Sequence, residues 1–560
     1  MTSDKKNISL LADLFVKSGL SNIVISPGSR NAPIIISFAN RPEIKAFSIV
    51  DERSAAFFAL GLALQTNKTV AIACTSGSAL LNYASAISEA YYQKIPLLIL
   101  TADRPPNLID IGDGQTIRQN NVFANYIKKS YQLPLNLDTE NDFKSAEEII
   151  NKSLYECNSP QPGPVHINIP FDEPIYGTTE EHISGRVMDN KKAHAVISEN
   201  KIKEIAEHYN SSEKIMIIVG QMRPVSELNN ILSKLSKQSN TIILTETTSN
   251  VFNGSFINTI DNIVSTISDK DVDSFKPIIV ISIGGQIVSK MIKNFLRKNK
   301  PNIHWHISPS GENMDTFFSL TEVLENDEVN FFNSLEKKLM PINSSYKNIW
   351  SDRKNQINVR KCEYLSKCEY SDLIVFDEIL NSLPDDSILH LGNSTPVRYS
   401  QLFGSKENIK YNSNRGVSGI DGQISTAAGY SYNSNKFNIL ITGDLGFFYD
   451  SNGLMNKYLS PNLRIIVINN SGGGIFRFIP GPDTTPNLEE FFEAKHQWSA
   501  EFICKAFNVN YIKSENIEEL RKQIPTFLSL KNQYPAVLEI FTPAENNAKI
   551  LREYFRFIKE

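Results

Sequence analysis

The chain has 560 residues, of which 41% are hydrophobic and 21% are charged, a composition typical of globular proteins and enough for about three or four domains. The formal net charge is −4 and no run of Lys and Arg stands out, which argues against a nucleic-acid partner. The most apolar stretches are far shorter than the roughly 20 residues of a membrane span, and the N-terminus lacks a signal-peptide pattern. The five cysteines are odd in number and form no CxxC pair, which favours a reducing cytoplasm. Together with the short apolar stretches, this leads us to expect a cytoplasmic protein with no membrane partner.

The first third of the chain alternates short apolar runs with helical stretches. Because the runs are apolar on both faces and lie between helices, they predict a parallel sheet covered by helices on both sides. We place the first domain at residues 1–185. Its predicted strands lie at residues 21–26, 45–50, 69–74, 96–100 and 164–169, and its clearest helices lie at residues 54–64 and about 79–92.

Two further blocks show the same alternation of apolar runs and helical stretches. We expect a central α/β domain over residues 186–345 and a third α/β domain over residues 346–560. The predicted fold class is therefore α/β, with three doubly wound domains built on mainly parallel sheets. The predicted strands of these blocks lie at residues 214–219, 241–244, 277–283, 303–307, 387–391, 438–442, 464–469 and 536–541.

Polar residues and glycines follow two neighbouring strands of the third block, at residues 443–446 (GDLG) and 469–474 (NNSGGG). Adjacent parallel strands would bring Asp444 and Asn470 to one edge, where open α/β sheets bind ligands. Magnesium prefers oxygen ligands and commonly keeps phosphate oxygens, and glycines allow a diphosphate to approach the backbone. Either motif alone is explained by a turn. The combination predicts a site for a divalent cation and a diphosphate.

A second signal is Asp51-Glu52-Arg53, which ends a predicted strand and opens an Ala-rich helix. Acidic residues at a helix N-terminus interact favourably with the helix dipole, and alone they would mean nothing more. Beside a cofactor motif, a carboxyl group in apolar surroundings is suited to acid–base chemistry, because burial adjusts its pKa. On the residues alone Glu52 is an acidic residue at a helix start, and a catalytic role for it comes from the resemblance described next.

Together these motifs resemble those of the thiamine-diphosphate-dependent enzymes. The resemblance implies that Glu52 hydrogen-bonds N1′ of the aminopyrimidine ring of thiamine diphosphate. It further implies that Asp444, Asn470 and the carbonyl of Gly472 hold Mg²⁺, or Mn²⁺ in its place. By the same resemblance, the three domains are pyrimidine-binding, central and diphosphate-binding, in that order. The cofactor lies between two subunits in this superfamily, so a homodimer or homotetramer is implied.

Local motifs narrow the resemblance to one family. They are residues 26–33 (SPGSRNAP), 101–106 (TADRPP), 115–119 (QTIRQ), 393–398 (NSTPVR), 414–422 (NRGVSGIDG) and 475–476 (IF). They resemble the 2-succinyl-5-enolpyruvyl-6-hydroxy-3-cyclohexene-1-carboxylate (SEPHCHC) synthase family of the menaquinone pathway. The resemblance implies decarboxylation of 2-oxoglutarate and transfer of the succinyl group to isochorismate, for menaquinone or phylloquinone synthesis.

The resemblance also implies roles for individual residues. Both substrates are dicarboxylates, and the planar guanidinium group of arginine suits bidentate carboxylate binding. The residues expected at the reacting centre are Glu52, Gln115, Arg30, Arg398 and Arg415. Those expected at the cofactor are Glu52, Ser394, Asp444, Asn470, Gly472 and Ile420, the last beneath the cofactor. Those expected at the substrates are Ser29, Arg30, Arg104, Gln115, Arg118, Ser394, Arg398, Arg415, Ile475 and Phe476.

Three alternatives compete with this interpretation. Another thiamine enzyme, such as an acetohydroxyacid synthase or a 2-oxo acid decarboxylase, would keep the cofactor motifs but not the Ser-Arg loop at residues 29–30 or the segment at residues 414–422. A non-catalytic protein on the same fold would be favoured had Glu52 or Asp444 been lost. A dinucleotide oxidoreductase, or FAD in the central domain, needs a complete GxGxxG motif that the sequence lacks. His304 and His306 are better explained as buried polar residues than as metal ligands.

Overall fold

A computed structural model describes residues 1–188, 197–479, 481–529 and 534–560. Within these ranges the chain forms three larger sheets in which every strand pair is parallel, with helices between the strands. We call the parts of the chain around these sheets the first, second and third regions. A short antiparallel ribbon also joins the N-terminal strand to the segment that follows the first sheet.

The first sheet has six strands in the order β3-β2-β4-β5-β7-β6. The strands of the first region are β1 (Thr2–Ser3), β2 (Asn22–Ile25), β3 (Lys45–Ser48), β4 (Val70–Cys74), β5 (Leu97–Asp103), β6 (Lys129–Gln132), β7 (Val165–Pro170) and β8 (Thr178–Thr179), of which β1 and β8 form the ribbon. Its helices are α1 (Lys6–Lys17), α2 (Ala32–Ala39), α3 (Glu52–Thr66), α4 (Ala84–Gln93) and α5 (Glu140–Glu156).

The second sheet has five strands in the order β10-β9-β11-β12-β13. They are β9 (Ile215–Val219), β10 (Thr241–Thr245), β11 (Ile279–Ile283), β12 (Ile303–Ser308) and β13 (Glu322–Glu325). The helices of this part of the chain are α6 (Glu199–Asn210), α7 (Ser226–Leu235), α8 (Ile260–Val264), α9 (Val272–Phe275), α10 (Lys290–Lys298), α11 (Glu328–Glu336) and α12 (Tyr346–Leu365).

The third sheet has six strands in the order β15-β14-β16-β17-β19-β18. They are β14 (Ile388–Leu391), β15 (Lys410–Asn412), β16 (Asn438–Gly443), β17 (Leu463–Asn469), β18 (Asn510–Ser514) and β19 (Ala536–Phe541). The helices are α13 (Asp372–Ser382), α14 (Thr395–Phe403), α15 (Gln423–Ser431), α16 (Asp444–Tyr449), α17 (Ala500–Ala506), α18 (Ile517–Phe527) and α19 (Ala544–Lys559).

The predicted α/β fold with mainly parallel sheets is confirmed. Every strand predicted from an apolar run is present, and its ends differ from the predicted ones by at most three residues. Four strands at sheet edges, β6, β13, β15 and β18, were not predicted, because their sequences are polar or mixed. The helix predicted from about residue 79 is a 3-10 helix over Gly77–Tyr83 followed by α4.

Buried apolar residues connect the regions as well as filling them. One core cluster joins the second and third regions, and another joins the first and third. In the latter, α3 crosses α15 at backbone distance: a Cβ added to Gly61 would lie 2.0 Å from the carbonyl oxygen of Thr426. A Cβ added to Gly429 would lie equally close to the carbonyl oxygen of Phe58. Glycine is therefore required on both helices at this crossing.

The described helices include none that combines the length and the apolar character needed to cross a membrane. The five cysteines are free. His304 and His306 are buried in β12 and share the hydroxyl of Ser282 as a hydrogen-bond partner, at 2.9 and 3.0 Å. Within the described residues no group of three or more His, Cys, Asp or Glu could hold a metal ion.

Candidate active site

The carboxylate of Asp444 lies at the carboxyl edge of the third sheet, where β16 passes into α16. Asp444 is 2% exposed, and its carboxylate accepts hydrogen bonds from two backbone N–H groups, those of Leu445 at 2.6 Å and Gly472 at 2.8 Å. Gly472 belongs to the turn after β17 and has φ of 146°, a conformation that favours glycine. One carboxylate therefore joins the turns that follow two adjacent strands.

Asn470 follows the end of β17 and is buried. Its Nδ2 donates to Oδ2 of Asp372 at 3.0 Å, which turns its amide oxygen away from that carboxylate. Asp372 begins α13, is fully buried, and accepts a second hydrogen bond from Oγ1 of Thr542 at 2.6 Å. Burial raises the pKa of Asp372 to about 6; the hydrogen bonds from Thr542 and Asn470 lower it, and the charge of Asp444 raises it.

A cavity of about 220 Å³ opens beside these two turns. It brings together seven residues that the sequence singled out: Ser394, Ile420, Asp444, Asn470, Gly472, Ile475 and Phe476. Ser394 has φ of 71° and ψ of −121°, a sparsely populated conformation of the kind that clusters at functional sites. Gln423 also lines the cavity; its Oε1 accepts from Thr442 at 2.6 Å, while its buried Nε2 has no partner in the described part of the chain.

The atoms around this cavity fit a magnesium diphosphate. The Asp444 carboxylate, the Asn470 amide oxygen and the Gly472 carbonyl are oxygen donors of the kind that Mg²⁺ prefers. The unpartnered N–H of Gln423 and the glycines of residues 472–474 offer donors and space to phosphate oxygens. The arrangement could therefore hold the charged end of a cofactor.

Glu52 lies at the carboxyl edge of the first sheet, as the first residue of α3. Burial raises the pKa of Glu52, its own backbone N–H lowers it, and the charge of Asp51 raises it. The residues on either side are tied to the third region: Asn452 donates to Asp51 at 2.6 Å, and Arg53 donates to the carbonyl of Tyr449 at 2.7 Å. Glu52 itself does not line the cavity beside Asp444.

Arg30 lies near the same edge of the first sheet and is 5% exposed. Its guanidinium group pairs with the carboxylate of Glu173 at 2.8 Å and donates to the carbonyl of Phe171 at 3.2 Å. Ser29, directly before it, is exposed. The positive charge of Arg30 is therefore held in place by groups of the same chain.

The loop after β5 carries the remaining residues that the sequence singled out in the first region. Gln115 is exposed and donates to the carbonyl of Ser76 at 3.1 Å. Arg104 is partly buried, and its Nε lies 3.8 Å from a carboxylate oxygen of Asp113. Arg118 is 83% exposed and pairs with a carboxylate of the same loop. None of these three side chains lines the cavity beside Asp444.

Arg398 and Arg415 lie where the third region meets the second. Arg415 is 6% exposed; it donates to Oδ1 of Asn393 at 3.0 Å, and its buried Nε has no partner among the described residues. Burial lowers the pKa of Arg415, while the charges of Glu246 and Glu89 raise it. Burial and the charge of Arg415 lower the pKa of Arg398. Two guanidinium groups are thus held close together against their mutual repulsion.

Four residues of these sites were missed from the sequence. Lys293, on α10, lies near both guanidinium groups; burial lowers its pKa, Glu246 raises it, and Arg415 and Arg398 are among the charges that lower it. The other three lie behind or beside the cavity and are Asp372, Gln423 and His496. None stands in a motif, and each reaches the site through a contact distant in sequence, so only the fold reveals them.

Comparisons with known proteins show the family and the fold of the chain. Residues 7–125 match the family described as "Thiamine pyrophosphate enzyme, N-terminal TPP binding domain". A solved benzoylformate decarboxylase from Polynucleobacter necessarius has the same fold, with a TM-score of 0.72 and 15% identity over 97% of this chain and 99% of that one.

Three curated relatives cover almost the whole chain, and each is named 2-succinyl-5-enolpyruvyl-6-hydroxy-3-cyclohexene-1-carboxylate synthase. The relative from Christiangramia forsetii is 44% identical over 98% of this chain and 97% of its own length. That from Flavobacterium johnsoniae is 43% identical over 96% of each chain, and that from Bacteroides thetaiotaomicron is 36% identical over 100% of each. The chain therefore belongs to the SEPHCHC synthase family of thiamine-diphosphate-dependent enzymes.

Proposed function

We propose that this enzyme decarboxylates 2-oxoglutarate and adds the succinyl group to isochorismate, giving SEPHCHC and CO₂ in quinone biosynthesis. The observation that carries the proposal is the joint presence of an oxygen-lined cavity at Asp444 and a buried cationic cluster at Arg398 and Arg415. The first suits a magnesium diphosphate, and the second suits the carboxylates of two dicarboxylic substrates.

The metal and the cofactor would be held by the third region. Asp444, Asn470 and the Gly472 carbonyl would bind Mg²⁺, and Mn²⁺ would fit the same oxygen donors. Ser394 and Ile420, which also line the cavity, would contact thiamine diphosphate. When bound, thiamine diphosphate supplies the electron sink that decarboxylation of a 2-oxo acid requires.

Glu52 would hold a proton at N1′ of the aminopyrimidine ring. Its partial burial supports this role, because the raised pKa brings the carboxyl group closer to sharing a proton with a ring nitrogen. Ser29, Arg30, Arg104, Gln115 and Arg118 would reach the substrates from the same edge of the first sheet. Ile475 and Phe476 would form the apolar wall opposite.

A second copy of the chain would complete each site. Glu52 does not line the Asp444 cavity of its own chain, although Asp51 and Arg53 on either side of it bond to Asn452 and Tyr449 of the third region. We therefore propose a homodimer, or a tetramer built from such dimers, in which a pyrimidine-binding domain (1–185) faces the diphosphate-binding domain (346–560) of its partner. The central domain (186–345) would supply Lys293 to the cationic cluster.

The activity is tested by following the absorbance of isochorismate. The protein is mixed with thiamine diphosphate, Mg²⁺, 2-oxoglutarate and isochorismate, and each component is left out in turn. Absorbance should fall only when all are present, with CO₂ released in equal amount. If the cofactor binds but isochorismate persists, another 2-oxo acid or acceptor is the substrate, and the proposal is wrong.

The shared site is tested by mixing two inactive variants, Glu52→Gln and Asp444→Ala. Each homodimer of a single variant is inactive, but a hybrid dimer has one site in which both residues are native. Because half of randomly assembled dimers are hybrids with one live site of two, activity should return to about a quarter of that of the native enzyme. No recovery after denaturation and joint refolding, with native enzyme recovering in parallel, would place both residues in a site within one chain.

A further inference from the structure

His496 stands beside the proposed metal site, although no motif contains it. It is 8% exposed, and its ring stacks on Trp498 with centroids 4.5 Å apart and an 11° angle between the planes. The ring of Phe448 packs nearly perpendicular to the His496 ring, with the two ring centroids 5.6 Å apart. The backbone N–H of His496 donates to the carbonyl of Ser471 at 3.1 Å, which ties the residue to the turn after β17.

The hydrogen bonds of the ring determine where its proton lies. Nδ1 accepts the backbone N–H of Trp498 at 3.0 Å, so the neutral ring carries its hydrogen on Nε2. That nitrogen lies 3.4 Å from Oδ2 of Asp444 and makes no hydrogen bond within the described part of the chain. His496 therefore holds a buried, unsatisfied N–H close to the carboxylate that would bind the metal.

A second carboxylate orients the other side-chain ligand. Asp372 accepts a hydrogen bond from Nδ2 of Asn470 at 3.0 Å, and its second oxygen accepts from Thr542 at 2.6 Å. The backbone N–H of Asp372 donates to Oδ1 of Asn547 at 2.8 Å. Because an ionised carboxylate only accepts hydrogen bonds, the amide nitrogen of Asn470 must face Asp372 and the amide oxygen must face away.

We propose that His496 and Asp372 are positioning residues for the metal: His496 fixes the carboxylate of Asp444, and Asp372 fixes the amide orientation of Asn470. Partners of this kind orient metal ligands in many proteins, and their loss costs about 10- to 100-fold in metal affinity. The inference rests on the proposed site at Asp444 and Asn470. It adds two residues that touch neither the metal nor the substrates.

The experiment on His496 compares His496→Phe with His496→Gln. Phenylalanine keeps the stack on Trp498 but removes the N–H, whereas glutamine loses the stack but carries an N–H that reaches the same carboxylate. Both lose the acceptor for the Trp498 N–H. Binding of Mn²⁺ is measured by electron paramagnetic resonance with thiamine diphosphate present and substrates absent. We expect the dissociation constant to rise about 10- to 100-fold in His496→Phe and to stay close to the native value in His496→Gln.

The experiment on Asp372 follows the same logic with Asp372→Ala and Asp372→Asn. The asparagine can still accept from Asn470, so Mn²⁺ affinity should fall in the alanine variant and be retained in the asparagine variant. In steady-state assays the weakened variants should need more Mg²⁺ for half-maximal rate, with kcat at saturating Mg²⁺ nearly unchanged. His390→Phe, the loss of a buried histidine remote from the cavity, is the control and should bind Mn²⁺ as the native enzyme does.

The possible outcomes separate this inference from the proposed function. If the native enzyme binds Mn²⁺ and both His496→Phe and Asp372→Ala bind it equally well, the two residues are not positioning residues and the inference is wrong. If His496→Phe does not fold, the comparison of Asp372→Ala with Asp372→Asn still decides the role of Asp372. The comparison of His496→Gln with His496→Leu then decides the role of His496. If the native enzyme itself binds neither Mn²⁺ nor thiamine diphosphate, the site at Asp444 fails, and the proposed function fails with it.

Discussion

The first and third regions share one strand order and differ at the edge where ligands would bind. Numbered within each sheet, both run 2-1-3-4-6-5 and both are fully parallel. At the carboxyl edge of the first sheet stand Glu52, whose pKa is raised by burial, and Arg30, which pairs with the carboxylate of Glu173. At the same edge of the third sheet stand Asp444, Asn470 and a glycine turn.

On the proposed function, this difference explains how one architecture would serve two ends of a cofactor. The parallel sheet supplies a place, the crevice beyond the strand ends, and the residues of the turns decide what binds there. The first region offers a carboxyl group suited to a ring nitrogen, and the third offers oxygen donors suited to a metal. Neither region could replace the other by a single substitution.

The largest expected effects are on catalysis and on cofactor binding, and they separate the role of Glu52 in the first region from that of Asp444 in the third. Glu52→Gln should lower kcat by about 10²- to 10⁴-fold while thiamine diphosphate still binds, because the lost group acts on a proton. Asp444→Asn should instead abolish cofactor binding with Mg²⁺, because a charged metal ligand is lost. Calorimetric titration of the cofactor, with turnover measured in parallel, checks both. Equal loss of cofactor affinity in the two variants would contradict the division.

A second prediction compares one arginine from each region. Arg30 is already paired with Glu173, whereas the buried Nε of Arg415 has no partner among the described residues. Arg415→Met should therefore raise the KM of at least one substrate about 10- to 100-fold, the loss of one hydrogen-bonded charge pair. Arg30→Met should raise it less.

Steady-state kinetics with each substrate varied in turn measures this difference. Arg521→Met is the control, because Arg521 is exposed and pairs with Glu378 away from the cavity, so its KM values should equal the native ones. A larger effect at Arg30 than at Arg415 would show that the ion pair with Glu173 opens when substrate binds.

The smallest effect concerns stability and pH. Burial lowers the pKa of His390, in the third sheet, to about 4, and burial lowers that of His166, in the first, to about 3. The folded state therefore binds fewer protons than the unfolded state below about pH 6.5, and the free energy of unfolding falls as pH falls through this range. For His390 the loss between pH 8 and pH 5 should be about 2 kcal/mol.

Urea unfolding of the native enzyme and of His390→Phe, at both pH values, measures that loss. The variant should lose about 2 kcal/mol less than the native enzyme on acidification. An identical loss in the His390 variant would mean that the ring is already solvated before unfolding.

The strands that could be predicted from the sequence are those that are buried on both faces. Central strands such as β9 (IMIIV) are apolar on both faces, so their sequence alone indicates a buried parallel strand. The edge strands β6 (KSYQ) and β18 (NYIKS) contact a neighbour on one side only and keep polar residues, so they resemble loops in sequence. The ends of helices and strands depend on the same balance between apolar and polar residues. The observed ends therefore differed from the predicted ones by a few residues.

The residues of the candidate site that could be predicted are those that stand in motifs at the ends of neighbouring strands. Asp444 and Asn470 could be paired because each directly follows a strand, and adjacent parallel strands end at one edge. Asp372 lies 98 residues from Asn470, and its contact arises from the packing of α13 against the third sheet. His496 precedes α17 in a segment with no regular periodicity. Such residues act through contacts that only the folded chain creates.

The glycine crossing of α3 and α15 brings the backbones of the first and third regions into direct contact. With no side chain between the two helices, a movement of one region against the other would disturb both. In the homodimer proposed above, each site would take Glu52 from one copy and Asp444 from the other. Catalytic sites would then form and be lost in pairs, and the activity of the proposed dimer should depend on protein concentration.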